Sequence, residues 1–340
     1  MSLLLRSFSL ALVLLLAGPG CSSDDFTAED LGPTVDGSTG SCNATDPRTV
    51  PLQVAVLPDQ GDASYTGVIS RATKQIRVLS YLMGKGTILD GLKQKAQSGV
   101  SVRVILDNQA ANQSPYSELS AAGVKVAWSD PKFPYMHAKV IIGDEREAII
   151  STGNFLASAV QKNRDFTVLT ADREDVDDLI YLFDTDWSRQ ATLMSCTRLI
   201  VSPINARARI LALIGSAKST LTVESMQLAD TEVRNGLASR KKAGVVVRVI
   251  IADPGFVDTN VEAAQFLKSQ SIPGRYLKQP TIHAKAIVSD GKTAYLGSVN
   301  LSSTSMSKNR EVGLITTEAA AVQRVSSVFE RDWSAGLSLP

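Results

Sequence analysis

The chain is written twice. Its only two histidines, His137 and His283, stand 283 − 137 = 146 residues apart. The same shift carries Lys139 onto Lys285, Asp144 onto Asp290, Asn154 onto Asn300, Lys162-Asn163-Arg164-Asp165 onto Lys308-Asn309-Arg310-Glu311, and Asp186-Trp187 onto Asp332-Trp333. Upstream the shift is 145, taking Pro58 to Pro203 and Arg103 to Arg248. A period of that size is too long for a solenoid repeat and matches a whole domain, duplicated and fused. The 340 residues are long enough for two such units.

Each half follows one grammar. A strand run (Gln75–Tyr81; Leu221–Ser225) precedes a helical stretch (Thr87–Ser98; Thr231–Ala243) that ends near a glycine, Gly99 or Gly244. A run nearly continuous in Val and Ile follows (Val100–Leu106; Val245–Ile251), as in a strand buried on both faces. The half closes on Val176, Leu179, Ile180, Phe183 and Trp187, an i, i+3, i+4, i+7 stripe echoed by Val322, Val325, Phe329 and Trp333. Alternating strands and helices predict two similar α/β sandwich halves about a pseudo-two-fold axis. Their sheets should be mixed, largely parallel and flanked by helices, with antiparallel pairing where the histidine strand meets Ala148–Ser151. The halves are expected at 50–190 and 196–337, and the Trp residues belong to the core.

The chemistry lies in the repeated segment. Met136-His137-Ala138-Lys139-Val140-Ile141-Ile142-Gly143-Asp144 is followed by Ser151-Thr152-Gly153-Asn154. Its copy, Ile282-His283-Ala284-Lys285-Ala286-Ile287-Val288-Ser289-Asp290, is followed by Gly297-Ser298-Val299-Asn300. Side chains two apart on a strand share a face, so each His stands beside its Lys while Val140 and Ile142 turn to the core. A lone strand histidine is usually a satisfied core residue. Here Lys at +2, Asp at +7 and Asn at +17 accompany both histidines, a pattern whose chance odds for one histidine are on the order of one in ten thousand. A histidine beside a fixed cation suits an anionic centre such as phosphorus. A metal site fits poorly, because the chain has no HxxxH or CxxC and the lysines repel a cation.

The two HxKxxxxD segments, each followed by Gly/Ser-Ser/Thr-x-Asn, resemble the phospholipase D superfamily from about residue 50 to 335. That resemblance implies one active site between the halves, without cofactor or metal, working through a covalent phosphohistidine. Its catalytic set falls on His137, Lys139, Asn154, Asp165, His283, Lys285, Asn300 and Glu311. The superfamily places a carboxylate 28 residues after each motif histidine, where it hydrogen-bonds the imidazole, and Asp165 and Glu311 stand there. Ser151 departs from the usual glycine. The resemblance implies His137 as nucleophile and His283 as general acid and base, although the near-symmetry of the motifs leaves that order even on the residues alone. The two imidazoles should hold opposite protonation states. Asp144 and Asp290, at hairpin turns, suit structural pairing better than catalysis. Arg164 and Arg310 suit either support of the site or a salt bridge.

Residues Met1 to Gly20 read as a signal peptide, with Arg6 before an apolar run and small residues after it. Cys21 and the Ser-Asp-Thr-Gly-rich stretch behind it resemble a bacterial lipoprotein with a lipidated cysteine, although Pro19 departs from that family's box. Residues 21–49 then form a polar tether expected to be disordered, and the protein is exported, as a periplasmic or outer-membrane lipoprotein or in secreted form. In an oxidising compartment Cys42 and Cys196 are expected to pair. Without Arg6 the chain has 34 basic and 34 acidic residues, and its main basic cluster is Arg240-Lys241-Lys242, which lacks the footprint of a duplex-DNA binder. These features favour a monomer acting on phospholipid at a membrane surface, hydrolysing the head-group ester to phosphatidic acid and a free alcohol. A secreted endonuclease with nucleic acid as its substrate, or a cardiolipin synthase-like phosphatidyltransferase, stays open.

Overall fold

The computed structural model describes residues 43–339. The signal peptide, Cys21 and Cys42 lie outside the described residues. Cys196 is disulfide-bonded.

The first half contributes β1 (Gln53–Leu57), β2 (Gln75–Ser80), β3 (Ser101–Leu106), β4 (Lys125–Trp128), β5 (Lys139–Gly143), β6 (Glu147–Ser151) and β7 (Asn163–Thr170). The second contributes β8 (Leu199–Ser202), β9 (Thr220–Ser225), β10 (Val246–Ala252), β11 (Gly274–Leu277), β12 (Thr281–Ile282), β13 (Lys285–Ser289), β14 (Thr293–Gly297), β15 (Glu311–Thr316) and β16 (Leu337–Ser338). The first sheet runs β1-β7-β6-β5-β2-β3-β4 and the second β16-β11-β10-β9-β13-β14-β15-β8. Read from β1 and from β8 these are one order as far as β4 and β11, with β16 added at the edge of the second, so the duplication read in the sequence is a duplicated α/β fold. The helices Thr87–Gln97 and Thr231–Lys242 fall where the sequence places them.

The sheets are mixed, but parallel pairing is the minority. Among the described residues, parallel strand pairing is confined to β2/β3/β4, β9/β10/β11 and the short contact of β12 with β7. The reason is the motif itself. β5 leaves the site as β6 returns through a tight hairpin, and β7 turns back again to meet β1, so each motif adds antiparallel strands.

The motif strands bury one face outward under their own helices and the other inward. The inward residues Val140, Ile142, Ala148 and Ile150 share one core with Ala286, Val288, Ala294 and Leu296 of the other half. Val176, Leu179 and Phe183 of the helix Arg173–Trp187 join it with Val322 and Val325 of the helix Ala319–Ala335. Full burial of each such side chain contributes about 1.5–3 kcal/mol, so the common core ties the halves into one body. Trp187 and Trp333 stack on Phe183 and Phe329 and receive the guanidinium groups of Arg103 and Arg248, a structural use that the repeat conserves.

Residues 48 and 49, at the end of the segment expected as a tether, are held by hydrogen bonds. Arg48 donates to Asp175 at 2.6 Å and the Thr49 amide to Asp172 at 2.7 Å, with the Arg48 side chain only 1% exposed. Arg48 also donates to the Ile315 carbonyl at 3.2 Å and Pro47 accepts from Arg198 at 2.9 Å, so this segment is fixed to both halves.

Candidate active site

The seam between the halves is made by backbone. β12 pairs parallel with β7, Thr281 opposite Asn163 and Ile282 opposite Arg164, and Met136 bridges to Arg310 in the same sense. The His137 amide donates to the Arg310 carbonyl at 2.8 Å, and the His283 amide to the Arg164 carbonyl at 3.2 Å. Each histidine is thus laid against the strand that opens the opposite half's carboxylate segment.

The consequence is a crossed arrangement. His137 Nδ1 is 2.8 Å from Glu311 Oε2, and His283 Nδ1 is 2.9 Å from Asp165 Oδ1. The 28-residue spacing suggests a carboxylate serving its own half's histidine. In the folded chain each serves the other's, because the backbone pairings of Arg164 with Ile282 and of Arg310 with Met136 set the next residue, Asp165 or Glu311, beside the opposite half's histidine. With Nδ1 engaged, Nε2 is the nitrogen left for chemistry on each ring.

The carboxylates are themselves held. Thr152 Oγ donates to Asp165 at 2.6 Å and Ser298 Oγ to Glu311 at 2.6 Å, both from the turns that carry Asn154 and Asn300. Glu311 also takes Ser305 Oγ and, at 3.3 Å, Asn309 Nδ2. Ala159 occupies the place of Ser305 in the first half, and Asp165 Oδ2 is buried without a hydrogen-bond partner. Thr152 and Ser298 were visible within the repeated motif. Ser305 was not, because the repeat does not keep it.

Ser151 has a local cause. A Cβ on its counterpart Gly297 would lie 2.4 Å from Gly313 Cα and 2.8 Å from Tyr295 Oη, so only glycine fits there. Opposite Ser151 stands Thr167 in place of Gly313. Tyr65 reaches in from a helix, its hydroxyl 2.7 Å from Ser151 Oγ and 3.1 Å from Thr167 Oγ. Ser151 Oγ then accepts the Gly153 amide, as Tyr295 Oη accepts the Val299 amide. Both halves hang the asparagine turn from a buried hydroxyl by different routes.

His137, His283, Lys139, Lys285, Asn154 and Asn300 are all buried. Each lysine ammonium donates to its own histidine's carbonyl, and Lys285 also reaches the Thr152 carbonyl at 3.2 Å. Lys139 Nζ lies 5.0 Å above the ring of Tyr81, whose edge meets His137 with ring centroids 4.5 Å apart. Tyr81 has no counterpart in the repeat, where Met226 stands, and sequence reasoning missed it. Asn154 Oδ1 and Asn300 Oδ1 are buried without partners.

Burial, aided by both lysines and opposed by Glu311, pushes His137 down to about 4. Burial lowers His283 as well, with Lys285 and Lys139 adding to it. Burial thus pushes both imidazoles in the same direction, toward neutral, and the expected split must come from the substrate's charge. Burial also brings Lys285 to about 8 and lowers Lys139 further. It would raise the carboxyls, but the facing His and Lys groups and the hydroxyl donors outweigh it, and Asp165 and Glu311 lie below their ordinary values.

Asp144 and Asp290 sit outside this cluster. Each, at positive φ in a hairpin turn, collects three successive backbone amides, those of Thr73, Lys74 and Gln75 or of Lys218, Ser219 and Thr220. Their role is to fasten the turn. Arg164 and Arg310 pair across the seam, Arg164 with Asp332 and Arg310 with Asp186 at 2.8 Å. Arg240-Lys241-Lys242 ends the helix Thr231–Lys242, where cations suit the helix dipole. Among the described residues, no group of three or more His, Cys, Asp or Glu side chains could hold a metal ion.

Comparison with known proteins places this geometry. The chain is 26% identical over 279 residues to the polyphosphate kinase of Yersinia pestis, 75% of this chain but only 40% of the kinase. It therefore spans well under half the length of that relative. Among solved structures it superposes on phosphatidylserine synthase of Haemophilus influenzae with a TM-score of 0.71 at 13% identity, covering 85% of this chain and 87% of that one. Polyphosphate kinase of Porphyromonas gingivalis gives a TM-score of 0.65 at 19% identity, over 82% and 46%. At such identities the likeness is one of fold. Residues 65–187 and 210–333 each match the family described as cardiolipin synthase, PLD-like domain, and with both halves so matched the chain belongs to the phospholipase D superfamily.

Proposed function

We propose that the protein is a phosphatidyltransferase of the cardiolipin-synthase kind, exchanging the head group of a phospholipid through a phosphohistidine. The observation that carries this reading is the crossed pair of imidazoles, each held at Nδ1 by the opposite half's carboxylate and presenting Nε2. His137, driven to its neutral form, attacks phosphorus. An N–P bond forms as the bond to the leaving oxygen breaks, and His283 gives that oxygen its proton. In the second step His283 takes the proton of an incoming hydroxyl, the new O–P bond forms and the N–P bond breaks. Water as acceptor gives phosphatidic acid, the hydrolytic variant of the same chemistry.

His283 needs its proton for the first step, and the phosphodiester's own negative charge between two lysines favours protonation of one imidazole. Lys139, Lys285, Asn154 and Asn300 hold the non-bridging oxygens, where charge concentrates. The matched family, together with the export expected from the sequence, favours lipid over nucleic acid.

The test offers the purified protein phosphatidylglycerol vesicles in EDTA, with and without a primary alcohol, and follows products by mass spectrometry. A phosphatidyl-alcohol is the expected product. Phosphatidic acid alone reduces the reading to hydrolysis. DNA cleaved with lipid inert, or polyphosphate extended from ATP, overturns it.

A further inference from the structure

A cleft of about 650 Å³ is lined by Lys132, Phe133, Ile204, Lys308 and Arg310 among others. Arg310 is its link to the chemistry, since the Arg310 carbonyl holds the His137 amide. The duplication supplies an internal control for this place. In the mirror position Arg164 donates to Asp59 at 3.1 Å, and Asp59 also pairs with Arg331 at 2.8 Å. There the counterpart of Phe133 is Gln279. In the cleft the polar plug is gone. Ile204 replaces Asp59 and is 39% exposed, and Phe133 lies under the Arg310 guanidinium, 4.2 Å from it. With Ile204 and Phe133 in these two places the Asp59 ion pairs have no counterpart among the described residues, and an apolar-walled opening stands beside Arg310, which keeps its ion pair with Asp186.

Its mouth carries cations. Lys132 is paired with Asp130 at 2.8 Å, but exposed Lys308 makes no ion pair among the described residues. Apolar walls with an uncompensated ammonium complement a ligand that is a chain at one end and an anion at the other. We propose that this cleft binds one acyl chain of an anionic phospholipid, with the lipid's phosphate at Lys308 and the chain between Phe133 and Ile204. The inference deepens the lipid reading and rests on it for the identity of the ligand, while its test is a binding measurement that needs no turnover.

The experiment uses His137→Asn protein, so that no lipid is consumed, and measures partition onto phosphatidylglycerol and phosphatidylcholine vesicles. Ile204→Asp, which restores the mirror residue, is expected to weaken phosphatidylglycerol binding by about tenfold or more, and Ile204→Leu to leave it unchanged. Lys308→Glu should remove the preference for phosphatidylglycerol over phosphatidylcholine. Thermal unfolding of each variant confirms that it folds. Unchanged binding by folded Ile204→Asp overturns the proposal, as does full competition by inorganic phosphate, which would mark an anion site without a chain. Absence of transfer by the unsubstituted protein, with this binding intact, would instead count against the proposed reaction alone.

Discussion

Replacing one buried carboxylate by its amide separates the two histidines by step. Glu311 receives His137 Nδ1 and Ser298 on one oxygen, and Ser305 and Asn309 on the other. A glutamine can accept on only one of its two ends, so Glu311→Gln opposes donor to donor on the other. It also releases the tautomer that leaves Nε2 of His137 free to attack. A comparable amide substitution behind a catalytic histidine costs about 10⁴ in kcat, or about 5 kcal/mol at 1.36 kcal/mol per decade. Glu311→Gln should therefore lower kcat by about 10³–10⁴ whatever the leaving group. Asp165→Asn acts on His283 and should cost about 10²–10⁴ when an alkoxide must be protonated, but little in the first step when nitrophenolate leaves unaided. The assay is rapid-mixing measurement of phosphoenzyme formation with phosphatidylglycerol and with a nitrophenyl phosphodiester. The nitrophenyl substrate should rescue phosphoenzyme formation in Asp165→Asn and not in Glu311→Gln. Rescue of Glu311→Gln instead refutes the crossed assignment, and equal behaviour of both variants with both substrates refutes the division of labour.

Other consequences follow from burial and charge. Lys285 at about 8 predicts that kcat falls as pH rises through that value, and a pH–rate profile without this alkaline limb removes the lysine from catalysis. His137 has a folded value below its ordinary 6.5, so the stability linked to it is present above about 6.5 and lost as pH falls toward about 4, which denaturant titrations across that window read directly. Glu224, the counterpart of Leu79, is fully buried beside Asp332 and Arg164, and burial, with the Asp332 carboxylate beside it, raises it well above its ordinary value. Its neutral form stabilises the fold below the unfolded value, and that contribution is lost as pH rises, so Glu224→Leu should stabilise by about 1–3 kcal/mol and by more at higher pH. A Tm difference independent of pH would refute this. Asp290→Ala should destabilise by about 1–2 kcal/mol and leave kcat unchanged, because its three amides lie outside the site; a large loss of kcat at unchanged Tm would make the motif aspartate catalytic.

The repeat alone determined a great deal. A 146-residue shift holding a His, a Lys, an Asn and a carboxylate in register twice demands two copies of one fold, each with its His and Lys aimed together by alternation on a strand, while the single shared site followed only from the superfamily resemblance. It also marked Asp144 and Asp290 as turn residues. What it could not supply was partnership across the seam. Spacing within a chain reports residues of one half, whereas Asp165 and Glu311 reach the other half's histidine through strand pairings 118 and 174 residues apart in sequence. The same limit hid Ser305, Tyr81 and the opening at Ile204, each present in one half only and so silent in any repeat. Protonation belongs there as well: identical residue types begin at one value, and only the depth of burial and the lysines folded against them drive both imidazoles toward neutral.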